Sequence, residues 1–520
     1  MKKIITLLLC IAIFTGGCSS NNTETVKKDK TASPDYGGTV KMGCVPIDTL
    51  NPLITQHSSV SDFLSLVYDG LFNTKNDFTA LPILASSFTV SSDNTVYTVK
   101  LRDGIKFHSG KTLTSEDVVS TLTYISFYGG RYSSVLESIA AYSADGDDKV
   151  IFTLSSPKSD FVNDLDFPIL PSGLGADSFM AQNGDFIPDG TGMYKYDGCI
   201  KYKNIYLKYN PSWHGESGRP YIDNIDVEIL SDSDTVISAF DSGETEILLT
   251  SWKNIDELGL TSNVYNKFSV KQNRFTYIGI NSGAAAFDTK EERLSLSGLI
   301  DYEKLVEEIT LGNGERAFSP IRSEAYYNTD SENVKSKNKN ASSPDTAYRE
   351  DNIDEDTHKI NLLYNTGSKT KERLAMSLKK MIESGGYSVV LDGCDFETYS
   401  SKVTAQQYDL YVGEVIMPGS ADLSFMFGSQ RSSQNLTVFH SSELDALASN
   451  LQIASDKNEK QVAFENFKNY YAENAIQIPL YFTDGAVFVN KRIHGKLMPN
   501  MSDMLCGFEK LYIKEKTSDK

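Results

Sequence analysis

The chain predicts an α/β fold in which parallel sheets built from strand–helix–strand units carry a small antiparallel sheet as an addition. Residues 222–249 and 359–415 alternate short apolar runs with amphipathic helical spacing, the pattern of right-handed βαβ crossovers. In residues 88–107, apolar and polar side chains instead alternate at period two between turn dipeptides, as in hairpins. The length of 520 residues, 40% hydrophobic and 11% aromatic, suffices for roughly three domains and argues against disorder.

GGTVKMGCVPIDTLNPL (37–53) opens as a strand and breaks at Pro46 and again at Asn51-Pro52. In SDFLSLVYDGLF (61–72), Phe63, Leu66, Val67 and Leu71 fall at helical spacing with Gly70 near the end, so a helix is expected. Asp93-Asn94 and Asp103-Gly104 supply the turns of the antiparallel section, where Val96, Thr98 and Lys100 alternate with Tyr97, Val99 and Leu101. Ser109-Gly110 turns the chain once more. Thr114 and Asp117 then have capping-box spacing ahead of a helix with Val118, Leu122 and Ile125 on one face.

Further on, the strand IDNIDVEIL (222–230) is followed by a short helix marked by Val236, Ile237 and Phe240 and broken at Gly243. KINLLYN (359–365) leads into a helix starting near Ser368, striped by Leu374, Leu378, Met381 and Ile382 and stopped by Gly385-Gly386. YSVVL (387–391) and YDLYVGEV (408–415) read as buried strands, and a last helix with Ala463, Phe467 and Tyr471 precedes IQIPLYF (476–482). Residues 329–358 are almost devoid of large apolar side chains and are expected to be an exposed loop or disordered insertion.

The N-terminus reads as a signal. MKK is a positive start, and IITLLLCIAIF (4–14) is an apolar core of eleven residues, too short to cross a hydrocarbon layer about 30 Å thick as a helix. TGGC (15–18) follows and resembles the lipobox of bacterial lipoproteins, with Thr15 where leucine is usual; this implies acylation of Cys18. Residues 19–36 are polar and form a flexible tether. No later segment has 18 consecutive apolar residues, so a soluble body is expected, held by lipid outside the cytoplasmic membrane. The remaining cysteines, Cys44, Cys199, Cys394 and Cys506, match no metal spacing, and one bridge or isolated thiols are equally open.

A formal charge of −19, from 69 acids against 50 basic residues, repels phosphate backbones and disfavours nucleic-acid binding. The six histidines lie far apart, and no zinc-protease, Walker or nucleophile-elbow motif occurs. His108 sits beside a turn, and no second soft ligand accompanies His57. No enzyme activity, cofactor or metal is expected.

The block LASSFTVSSDNTVYTVKLRDGIKFHSGKTLTSEDVV (84–119), together with GGTV, LNP, VYDGL, GTGMY (190–194), NPSWHGESGRPYIDNIDVEIL, FSP (318–320) and IPLYF…VNKRIHG, resembles family 5 bacterial extracellular solute-binding proteins. These are the oligopeptide-, dipeptide- and nickel-binding components of ABC importers, and the likeness runs from about Gly37 to Gly495. It implies a two-lobed, periplasmic-binding-protein-like fold (type II, cluster C) with mixed sheets in each lobe and an extra domain in the first. The boundaries that follow are 37–72, 186–273 and 484–520 for lobe I, 73–185 for the extra domain and 274–483 for lobe II, with crossings near RFTYIGIN (274–281) and IQIPLYFTDG (476–485).

The resemblance also implies a monomer that captures peptides between closing lobes and passes them to a permease and its ATPase. Peptide binders of the family carry a W-x-A-D-Y-x-D-P-like segment whose first Asp pairs with the peptide amino terminus. The corresponding stretch, GEVIMPGSADLSF (413–425), has neither that tryptophan nor that aspartate. Glu414 or Asp422 substitutes, or the ligand lacks a free ammonium. The expected contacts are Tyr277 and Asn281 at the crossing, Glu414, Val415, Met417 and Asp422 in the second lobe, and His57, Ser58 and Ser59 after LNP. A nickel chelate, a sugar, an opine-like compound, or a sensor role without transport are the alternatives.

Overall fold

Two long strands, β12 (Tyr265–Ile280) and β17 (Gln477–Asn490), pair antiparallel and run from one lobe into the other. The computed structural model describes residues 34–250, 257–328, 359–428 and 438–514. The expected lipidation site Cys18, most of the expected tether and the insertion expected at 329–358 fall outside them. Among the described residues, a mixed eleven-stranded sheet has the order β15-β14-β16-β12-β17-β11-β1-β10-β9-β8, with β13 also on β17.

In the first lobe, β1 (Thr39–Cys44) is parallel to β10 (Asn224–Ile229) and to β11 (Ile247–Leu249). The hairpin of β8 (Tyr194–Ile200) and β9 (Asn204–Tyr209) extends this sheet through β10. In the second lobe, β14 (Lys359–Asn365) is parallel to β15 (Ser388–Cys394) and β16 (Leu410–Ile416), while β13 is the short strand Gly314–Arg316. A separate antiparallel sheet combines β4 (Ala85–Val90), β5 (Val96–Leu101), β6 (Ile139–Asp145) and β7 (Lys149–Leu154). Its buried side chains Tyr97, Val99 and Phe152 belong to the core that also holds Val40, Ile225 and Val487. This module is therefore packed continuously onto the first lobe. The second lobe has cores of its own, around Phe275, Phe427 and Phe467 on one face of the sheet and Ile278, Leu362 and Leu374 on the other. That division follows from side chains pointing alternately to either side of a strand.

The local chemistry of residues 93–117 acts as its sequence requires. Asn94 turns the β4–β5 hairpin with φ +54°. The Asp117 carboxylate accepts the Thr114 N–H (2.8 Å) and hydroxyl (3.1 Å) at the start of helix α2 (Ser115–Tyr128). His108 is scaffold: its Nε2 donates to Gly192 O (3.1 Å), its N–H donates to Gly190 O (2.8 Å), and burial pushes the imidazole pKa down.

Three expectations need correction. The helix expected over 61–72 is α1 (Ser58–Leu64), and Phe72 already begins strand β2 (Phe72–Thr74), which pairs with β3 (Ala80–Pro82). Helical spacing here marked burial, not continuing helix, because tertiary partners take the carbonyls: Gly192 N–H donates to Val67 O and Tyr194 N–H to Leu66 O, both at 2.9 Å. A Cβ at Gly190 or Gly192 would lie within 2.0–2.5 Å of those carbonyl oxygens, so the glycines of GTGMY permit the approach. Second, YSVVL is not fully buried: β15 is the edge strand and leaves Val390 41% exposed. Third, the crossings are longer than the quoted segments, since β12 already begins at Tyr265 and β17 continues to Asn490. All four described cysteines are free thiols, with Cys44 buried and Cys199 exposed.

Candidate ligand cleft

The strand register fixes where a ligand can sit. On β11, Leu249 lies opposite Val487 and Ile247 opposite Val489, so its carboxyl end points toward the crossing. On β16, Ile416 lies opposite Arg274 and Leu410 opposite Ile280, so its carboxyl end points toward the same crossing from the other lobe. Ligands of open α/β sheets bind beyond strand carboxyl ends. Here two such edges, with β1 and β10 following β11 and with β14 following β16, face one another. The segments leaving them begin at Val45, Thr250, Thr366 and Met417.

Charged contacts flank this space. The Glu414 carboxylate lies 3.3 Å from both Arg274 Nη1 and Lys371 Nζ. Lys371 belongs to helix α3 (Lys369–Ser384), and Glu257 of the first lobe meets the start of the same helix. Glu257 Oε1 accepts from Ser368 Oγ (3.0 Å), Thr370 N–H (3.1 Å) and Thr370 Oγ1 (2.6 Å). A carboxylate is favoured there by the free N–H groups and the positive end of the helix dipole. On the other side, Asp422 pairs with Lys158 at 3.3 Å, and Lys158 also holds Asp164 at 2.7 Å. Burial works against the Lys158 charge, but the two carboxylates raise its pKa. At the crossing itself, the fully buried Arg322 reaches Asp484 (2.9 Å), Glu315 and Glu324 (both 3.2 Å). Burial opposes ionisation of Glu324, yet Arg322 and Lys271 pull its carboxyl down to about 2. A cavity of about 330 Å³ opens beyond β1 and β10, between Ile47, Leu230 and the β8–β9 hairpin at Tyr202.

Most of the expected contacts fall in two groups, one on each lobe. His57, Ser58 and Ser59 stand beside the carboxyl end of β1: His57 Nδ1 donates to Pro46 O (2.7 Å) and Ser59 Oγ accepts the Val45 N–H (3.3 Å). Ser58 is the first residue of α1. Glu414, Val415, Met417 and Asp422 follow one another along the end of β16; Val415 is half-buried, and Met417 is buried with its N–H on Asn273 O. Two expected contacts lie elsewhere. Tyr277 is 4% exposed, its hydroxyl meets Tyr411 Oη at 3.2 Å, and burial pushes its pKa to about 12. Asn281 follows Ile280 at the far end of β16, where its amide closes a turn through Tyr408 O (3.0 Å) and Gly283 N–H (3.1 Å). A period-two pattern marks one face of a strand but not which end meets the cleft. The sequence reading also missed Lys158, Glu257, Arg274 and Lys371, whose partners Asp422, Ser368 and Thr370, and Glu414 lie 43 to 264 positions away along the chain, a separation that leaves no local signal. Among the described residues, no group of three or more His, Cys, Asp or Glu side chains forms a metal site.

Opposed sheet edges joined by two crossing strands, with the site between them, define the class: a two-lobed solute-binding protein. The family model for "Bacterial extracellular solute-binding proteins, family 5 Middle" matches residues 79–437, and the chain belongs to that family. It is thus a substrate-binding component of an ABC transporter and not an enzyme. The chain is 23% identical over 524 residues to the oligopeptide-binding protein AppA of Bacillus subtilis, covering 95% of each. The structure of AppA in complex with a nonapeptide matches with a TM-score of 0.65 at 22% identity, over 93% of this chain and all of that one. The ABC transporter substrate-binding protein CtaP of Listeria monocytogenes matches with a TM-score of 0.75 at 23% identity, over 92% and 100%. NikZ of Campylobacter jejuni in complex with Ni(L-His) matches at 0.66 and 18% identity, over 91% and 99%. These structural likenesses establish the fold.

Proposed function

We propose that this chain is a lipid-anchored receptor on the extracytoplasmic face of the cell membrane that captures peptides between its lobes and delivers them to an ABC permease. The observation that carries the reading is the pair of opposed carboxyl edges, β1 and β11 facing β14 and β16, which offers main-chain groups from both lobes to an extended ligand. The full-length likeness to an oligopeptide-binding protein supports the peptide class. His57 to Ser59 and the 414–422 segment are the proposed contacts. The lobes are taken to divide at 273/274 and 483/484, in keeping with Val270 and Val487 lying in the first core and Phe275 and Phe482 in the second. The receptor works as a monomer without a cofactor, its anchor being Cys18.

A second reading, a non-peptide solute, is favoured by one observation: Glu414 and Asp422 already hold protein cations, so a ligand ammonium would compete with Arg274, Lys371 and Lys158 for them. Native mass spectrometry of gently purified protein separates the two. A heterogeneous set of short peptides is expected, and one uniform non-peptide species would sink the peptide reading. Cys18→Ala should release the protein from the membrane fraction; retention there would remove the lipid anchor.

A further inference from the structure

The first lobe also grips the second directly, through side chains that meet without an intervening group. Phe78, in the β2–β3 hairpin, is 3% exposed and sits in the second lobe's core with Ile321, Tyr327, Met417 and Leu423. Its backbone is left-handed, with φ +66°, a conformation that a bulky side chain keeps only where its surroundings enforce it. Main-chain bonds hold it from both sides. Tyr326 N–H donates to Asp77 O (2.9 Å), and the buried Asn163 amide donates both to Phe78 O (2.9 Å) and to Gly419 O (2.8 Å) across the lobes.

The neighbouring loop repeats the grip with charge. Lys158 of the first lobe, paired with its neighbour Asp164, holds Asp422 of the second, and Lys460 of the second lobe holds Asp160 of the first at 2.7 Å. Both lysines are almost completely covered, at 7% and 1% exposure. Ser159 N–H and hydroxyl both donate to Gln452 O at 3.0 Å, and Asn94 donates to Ile453 O and Ser455 Oγ. Separating these surfaces would expose an aromatic side chain and strand buried charges from their partners.

We propose that the β2–β3 hairpin and the 158–164 loop form a ligand-independent clamp on the second lobe. The ligand-free protein therefore rests closed on this side, and ligand exchange requires release of the clamp. This stands whether the solute is a peptide or not.

The test is hydrogen exchange on the mature chain, stripped of ligand by reversible unfolding and confirmed empty by native mass spectrometry. The Ser159 and Tyr326 amides, which bond across the clamp, should remain protected at least a hundredfold in the empty wild type. Phe78→Gly should raise their exchange tenfold or more while leaving Ile278 and Val412 on the crossing sheet unchanged. Should Phe78→Gly fold poorly by circular dichroism, Asp422→Asn serves instead, with a smaller rise confined to the same amides. Unprotected clamp amides in the empty wild type would overturn the proposal, as would variants that leave those amides unchanged.

Discussion

At the crossing strands the two lobes are joined by main chain, and at the clamp by side chains from segments far apart in sequence. Both contacts bury charge, but differently. At the crossing, the β12–β17 register slips between Lys271 and Arg274, and Arg322 fills the irregularity with three carboxylates and the Gln272 carbonyl around it. These partners sit on or beside the crossing strands of one continuous sheet, so the guanidinium stays enclosed whichever way the lobes lean. At the clamp, each charge finds its partner only across the gap or beside it. A joint that bends keeps its charges satisfied internally; one that opens exchanges partners with water.

The largest effect is therefore expected at the crossing. Arg322→Met removes the cation on which Glu315, Glu324 and Asp484 converge and should cost about 3–5 kcal/mol in urea unfolding. Lys271→Met, at a side chain 31% exposed, should cost about 1 kcal/mol. Equal losses for the two would mean that burial is not what separates them.

The clamp comes next. Phe78→Ala should lose about 3 kcal/mol as a buried aromatic is truncated. Phe78→Gly should lose about 1 kcal/mol less than Ala, because glycine adopts φ +66° without the Cβ conflict. If Ala proves the more stable of the two, the hairpin is not strained at Phe78.

The same contrast separates what was legible in the sequence from what was not. The capping box at Thr114 and the Asn94 turn could be read because both partners lie within a few residues. That Glu414 needs a partner could be read, because a charge within an apolar strand demands one. The identity of that partner could not: Arg274 lies 140 positions away, and its approach depends on strand register. Phe78 was invisible for a related reason, since nothing in NTKNDFTALP says that this phenylalanine enters the opposite lobe's core. The helix expected over 61–72 failed where Gly190 and Gly192, more than a hundred residues on, brought the GTGMY segment against it.

A smaller effect than truncating Arg322 or Phe78 concerns the footing of the clamp and depends on pH. Strand β2, which leads to Phe78, rests on the turn 499–503: Ser502 Oγ accepts the Thr74 N–H (2.9 Å) and donates to Asp166 (3.2 Å), and Asn76 donates to Pro499 O. Beneath this turn, burial, with Asp69 and Glu509 nearby, pushes the Asp503 carboxyl from 3.8 up to about 7. The folded chain then holds a proton that the unfolded chain has already released, between about pH 4 and pH 7. Stability must fall as pH rises through that window, with the full penalty present above the folded value. Asp503→Asn keeps an acceptor for the Leu505 N–H (2.9 Å) but cannot ionise. The variant should match the wild type near pH 4.5 and exceed it by about 2 kcal/mol at pH 8, allowing for partial exposure. Urea midpoints at the two pH values give the difference. Hydrogen exchange at pH 8 locates it: the Tyr326 amide on the clamp should gain protection in the variant, while Ile278 on the crossing sheet should not. Equal gains at both positions would mean that Asp503 acts on the whole unit and not on the clamp.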